Sequence, residues 1–264
     1  MRRCFFLSLV FVLLGAHAMA APRGGLRTPG ASPYDGLVGT RGSAPSQLRT
    51  ETQAMARTAF FTRSAVTQIK VIIPNWYNGE AAPGSAATDT ASIEYPVGIC
   101  TTLKKTGSST ITGSNGGQVE VDYATVSIPA NTQAWYRLWT SNASGGVVDA
   151  FQGQNLSLGD ALIVGSSVTD QTVSCGTVTD GGTFESIAPL AIIAPITAPS
   201  VCIFGDSIAL GVDNDHTPNS NGDNGSIAPS IAASFGYSNM GVNGDLASQF
   251  VSSHTNRVAV GQYC

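Results

Sequence analysis

Three residues, Gly205-Asp206-Ser207, follow the apolar run Ser200 to Phe204 and carry the clearest chemical signal in the chain. A serine just past the carboxyl end of a buried strand lies where open α/β sheets bind their ligands. Gly205 permits a tight turn. A helix starting near Ser207 would aim unpaired backbone N–H groups at an anionic intermediate formed on the serine oxygen. The competing reading is an Asp or Ser helix cap with no catalytic role. Other nucleophile and phosphate patterns are excluded. Position 209 is Ala where a Gly-x-Ser-x-Gly elbow needs glycine. The chain also lacks a Gly-x-x-x-x-Gly-Lys-Ser/Thr loop and a His-Glu-x-x-His helix.

A second block, Asn239-Met240-Gly241-Val242-Asn243-Gly244-Asp245, reads as a strand end, a glycine turn and a helix start. Together with Gly205-Asp206-Ser207 it resembles the SGNH (GDSL-type) hydrolase family. The resemblance covers residues 199–264 and implies a three-layer, flavodoxin-like α/β domain that hydrolyses esters. It implies that Ser207 is the nucleophile and one oxyanion donor through its own N–H, that Gly244 is the second donor, and that Asp206 supports the turn. Ile208 stands where the family's usual motif has leucine. The family's Gly-x-Asn-Asp block and its closing Asp-x-x-His block have no counterpart at their expected places. Arg257 to Val260 reads as the start of a further strand, so the chain is expected to be a truncated form, nearly inactive by itself. Asp213-Asn214-Asp215-His216 has the Asp-x-x-His spacing but sits in a polar loop and reads as a solvated turn. His254 reads as a surface residue on the second helix. No cofactor and no metal are expected.

The elements before the serine set its context. Arg2 and Arg3, an apolar run from Cys4 to Leu14 and Ala18-Met19-Ala20 read as a signal peptide over residues 1–20. The run is shorter than the roughly 20 residues a spanning helix needs, and a secreted or periplasmic protein is expected. Only 11% of residues are charged and the net charge is −4, so no basic stripe exists for nucleic acid. Residues 21–63, rich in Gly, Pro, Ser and Thr, read as a flexible linker with a short helix over Gln47 to Phe60.

From residue 64 to 195, short apolar or alternating runs between turn residues predict an all-β sandwich of jelly-roll type. Its strands are expected at Val66–Ile73, Ala91–Val97, Ser109–Thr112, Val119–Ile128, Ala134–Thr140, Val147–Phe151, Ala161–Val164 and Thr172–Val178. Four cysteines follow the signal, and a Cys100–Cys175 bridge within the sandwich is the expected disulfide. Cys202 reads equally as a packed free thiol or as half of a second disulfide. Trp76 and Tyr77, beside Pro74 and Gly79, are the expected carbohydrate contacts. Two functions follow: a secreted ester hydrolase acting on an acylated polysaccharide or lipid, or a non-enzymatic carbohydrate-binding or structural β-sandwich with a vestigial hydrolase segment.

Overall fold

The computed structural model describes residues 33–182, 185–211, 219–252 and 254–264. The signal-peptide reading and the Asp213 to His216 segment lie outside these residues. The described chain is predominantly β. One antiparallel sheet runs β1 (Tyr34–Leu37), β15 (Ala191–Ile196), β5 (Val66–Pro74) and β10 (Ala124–Ile128), with β9 (Gln118–Glu120) also on β5. The second antiparallel sheet runs β13 (Ala161–Gly165), β4 (Gln53–Phe61), β11 (Gln133–Ser141), β6 (Ala87–Glu94) and β7 (Cys100–Thr102), with β8 (Ile111–Gly113) also on β6. A three-stranded ribbon, β14 (Glu185–Ser186), β12 (Val148–Gly153) and β3 (Pro45–Leu48), completes the antiparallel part.

Phe60, Ile69, Val71, Ile73, Ile93, Tyr136, Leu138 and Ile192, drawn from both main sheets, form one buried cluster. Period-two alternation explains why β11 sends Ala134, Tyr136 and Leu138 into it. Trp135, Arg137 and Trp139 take the other face, under the loops at 158 and 168–176.

The predicted linker does not continue to residue 63. From Tyr34 onward the chain is built into strands β1 to β4, and Leu37, Val38 and Ala44 are buried. Nor is there a helix over 47–60. β4 is a central strand with both faces covered: Ala54, Ala56 and Phe60 face the sandwich core, while Met55 packs with Ala161 and Val178. Burial on both sides removes the alternation that marks a strand, and alanine adds helix propensity that the tertiary pairing overrides.

The expected strand at Thr172–Val178 is an irregular loop, held by the Cys100–Cys175 disulfide with Cys175 in a left-handed conformation. That disulfide is the one expected from the sequence. Cys202 is also bridged, to Cys264.

The last strands are parallel: β16 (Ser200–Ile203), β17 (Gly236–Asn239) and β2 (Gly42–Ser43). The third strand thus comes from the N-terminal part of the chain. Helices α1 (Ser207–Leu210) and α2 (Ala228–Ile231) cover one face, where Ala209, Ala228 and Ala232 meet Ile203 and Tyr237. The other face is built together with the sandwich, in a cluster joining Cys202, Met240, Val242, Val260 and Tyr263 to Leu37, Ile72, Trp76, Leu190 and Ile193. The sandwich and the parallel segment therefore share a core.

Helix α3 (Ala247–Ser252) follows the glycine turn as expected. Residues Arg257 to Val260, predicted as strand, belong instead to helix α4 (Thr255–Val260). Arg257 and Val260 are its buried positions, and buried Tyr263 in the 3-10 turn Gly261–Tyr263 that follows continues the spacing of three. Glu80 fixes its start: the carboxylate accepts the N–H groups of Asn256 and Arg257, both at 2.9 Å. That satisfies donors a helix leaves free at its first turn. Among the described residues no helix is long and apolar enough to cross a membrane.

Candidate active site

Strand β16 delivers the chain into the Gly205-Asp206-Ser207 turn at its carboxyl end. Asp206 is extended (φ −91°, ψ −156°), and its Oδ1 accepts the Ile208 N–H at 3.0 Å, so it caps α1 and leaves Ser207 as the first helical residue. The cap and the nucleophile positions are therefore adjacent, and the two readings of the motif are compatible. A Cβ at Gly205 would lie 2.5 Å from Ala209 Cβ, so only glycine lets α1 turn back so closely. Gly211 closes the helix at φ +100°. Ser207 is half-buried.

The second block docks beside the first. Met240 N–H donates to Ile203 O at 2.7 Å and Val242 N–H to Gly205 O at 3.1 Å, extending the parallel pairing past β17 and up to the serine turn. Asn239, nearly fully buried, ties the two blocks through its side chain. Its Nδ2 donates to Ala209 O at 2.8 Å and its Oδ1 accepts Gly241 N–H at 3.0 Å. Gly244 follows in the left-handed region at φ +73°, exposed, with open space where a side chain would go.

The turn is anchored by Asp245, which accepts Arg257 Nη1 at 2.6 Å. Arg257 is fully buried, lies over the Phe250 ring and has its Nε 3.6 Å from Glu80. A relay of Glu80, Arg257 and Asp245 thus connects the sandwich to the glycine turn. Sequence reading missed both this relay and the Asn239 tie. Glu80 and Arg257 are 177 positions apart, and no local periodicity signals such a pair.

No described residue is placed as a base for Ser207. His254 stands at the start of α4 rather than on the surface of the second helix. Its ring stacks on Phe250 at 5.3 Å, and Phe250 meets Phe204 edge-on at 5.7 Å. Phe204 packs in the cluster shared with the sandwich, while its neighbour Ile203 packs against α1 and α2. Alternation along the strand therefore puts the His254 stack and α1 on opposite faces. His254 Nδ1 is buried and has no partner among the described residues.

The expected sugar contacts fare differently. Trp76 has no exposed surface: it is a core residue whose Nε1 reaches Gln118 Oε1 at 3.3 Å, so no ring face is free to stack on a ligand. Its position beside Pro74 and Gly79 suggested a loop, but β5 continues through Pro74 and the shared core closes over the indole. Tyr77 is half-exposed, and its backbone pairs with Ala81 across a tight turn. Glu94, Cys100 and Cys175 lie close enough for metal ligation, but both sulfurs are in the disulfide and offer no thiolate.

Among known proteins, no family model matches the chain and no curated protein shows significant similarity to it.

Proposed function

We propose that Ser207 is the nucleophile of a serine ester-hydrolase site of the SGNH type, in a secreted protein acting on an acyl ester of a polysaccharide or a lipid. The observation that carries this reading is the docking of the two blocks. Asp206 fixes Ser207 at the start of α1, and the Val242 to Gly205 hydrogen bond brings the Gly244 turn to the same end of the parallel strands. In the reaction Ser207 Oγ attacks the ester carbonyl carbon, and the N–H groups of Ser207 and Gly244 hold the negative charge that forms on the carbonyl oxygen. Collapse expels the alcohol and leaves an acyl-serine, which water then hydrolyses.

A base must take the serine proton, and no described residue fills that role. Without a base such a set loses on the order of 10⁴-fold in rate, so the test supplies one from solution. Secretion is supported by the two disulfides, which persist in oxidising compartments.

The test is acetyl transfer from an aryl acetate with imidazole added as an external base, followed by peptide mass spectrometry. The reading expects acetylation at Ser207 well above that of other exposed serines, and none at that position in Ser207→Ala. Uniform acetylation of exposed serines, with no preference for Ser207, would refute it.

A further inference from the structure

We propose that Asn243 is a self-modification site, which loses its side-chain amide to the Gly244 nitrogen and passes through a succinimide to aspartate or isoaspartate, and that this ages the Gly244 turn. The chain holds five Asn-Gly pairs, beginning at Asn78, Asn115, Asn221, Asn224 and Asn243. The reaction needs a side chain in reach of water and a following N–H that no acceptor holds, and glycine favours it because no Cβ shields the nitrogen. At Asn115 the next N–H is held by Asn75 O at 2.9 Å, and at Asn221 by Asn219 O at 2.9 Å. Asn224 is buried, at 6% exposure. Asn78 is exposed, in a loop whose ends Tyr77 and Ala81 pin by exchanging hydrogen bonds of 2.9 and 2.7 Å. Asn243 and Gly244 are both exposed. Asp245 N–H donates to Val242 O at 3.2 Å and closes a β-turn around them, and a φ of +73° suits Gly244 to the third position of a type II turn. That bond uses neither central N–H. Among the described residues, neither the Gly244 N–H nor the Asn243 side chain has a hydrogen-bond partner.

An N–H kept free to receive an oxyanion is equally free to attack the asparagine before it. The Gly244 nitrogen forms a bond to Asn243 Cγ, the Cγ–Nδ2 bond breaks, and ammonia leaves with the proton from the Gly244 nitrogen. Water then opens the ring. Opening at Cγ gives aspartate, and opening at the Asn243 main-chain carbonyl gives isoaspartate, whose main chain is longer by one methylene. While the ring is closed Gly244 has no N–H to donate, and in isoaspartate that N–H sits on a lengthened turn. Val242 N–H is bonded to Gly205 O on one side of the turn and Asp245 to buried Arg257 on the other, so the added methylene must be absorbed at Asn243 and Gly244 themselves. The effect on Ser207 rests on the reading of Gly244 as an oxyanion donor; the conversion itself does not.

The experiment ages the full chain at neutral to mildly alkaline pH and maps its peptides by mass spectrometry, with enzymatic methylation to mark isoaspartate. Imidazole-assisted acetylation of Ser207 is measured on the same samples. Aspartate and isoaspartate are expected at position 243 well ahead of Asn115, Asn221 and Asn224, and Ser207 acetylation should fall in proportion to the fraction converted. Asn243→Gln, whose longer side chain disfavours ring closure, should keep its initial acetylation over the same time, even where Asn78 has converted. Conversion at Asn243 no faster than at the three shielded asparagines would overturn the modification. Conversion with Ser207 acetylation unchanged, or an equal decline in Asn243→Gln, would overturn its effect on the site. If fresh wild type shows no preference for Ser207, the ester-hydrolase reading fails and the effect on the site falls with it, while the peptide map still decides the modification.

Discussion

Arg41 and Asp160 form a two-bond ion pair with neither side chain exposed: Nη1 lies 3.1 Å from Oδ1 and Nη2 2.7 Å from Oδ2. The pair is completed by backbone. Arg41 also donates to Ala59 O and Gly153 O, and Asp160 accepts the N–H groups of Ala59 and Asn155. Arg41 immediately precedes β2, the strand that the N-terminal part of the chain contributes to the parallel sheet. The Gly222 loop lies against its guanidinium, where any side chain would clash. Removing Asp160 leaves a buried, uncompensated cation, so Asp160→Ala is expected to cost about 3–5 kcal/mol. Urea unfolding measures it, and a cost below about 1 kcal/mol would show that the pair is dispensable.

Glu94 gives the acid limit of stability. Burial alone would raise its carboxyl, but hydrogen bonds from Arg57, the Gly98 N–H and Arg137 hold it down to about 2. Its folded pKa lies below its unfolded one, so its contribution is fully present above the ordinary glutamate range and is lost as pH falls through about 2. Wild type should therefore lose stability progressively below about pH 4.5. Glu94→Gln should be less stable at neutral pH and show a flatter acid limb. Parallel acid limbs in the two proteins would contradict the assignment.

These contacts also show what a single sequence can and cannot disclose. The sandwich strands with clear alternation, such as β5 and β11, were legible, as was the Cys100–Cys175 bridge. The Gly-Asp-Ser turn was legible because it depends on residues adjacent in the chain. β4 was not, because covering both faces of a strand erases its period. α4 was not, because its capping carboxylate comes from Glu80 and its burial from a distant core. Trp76 was misplaced for the same reason: the residues that bury it arrive from the other end of the chain.

The Cys202–Cys264 bridge holds the end of the chain to the strand that leads into Ser207. It is backed by Ser200 Oγ donating to Tyr263 O at 2.7 Å and by Tyr263 donating to Glu120. Closing a span of 62 positions is worth about 4 kcal/mol through restriction of the unfolded chain. The double variant Cys202→Ser, Cys264→Ser should lose stability of that order in denaturant unfolding. Stability unchanged by the double variant would mean that the bridge does not constrain this protein.

In the proposed ester-hydrolase site, Ser207 Oγ and the N–H groups of Ser207 and Gly244 converge on one reacting position. An alkylboronic acid tests it directly, because a serine oxygen aligned with oxyanion donors converts trigonal boron into a tetrahedral adduct. Boron-11 NMR of the full chain with butylboronic acid should show the tetrahedral signal, and Ser207→Ala should abolish it. A spectrum of free trigonal boronic acid at saturating protein, or an adduct that survives Ser207→Ala, would contradict the account.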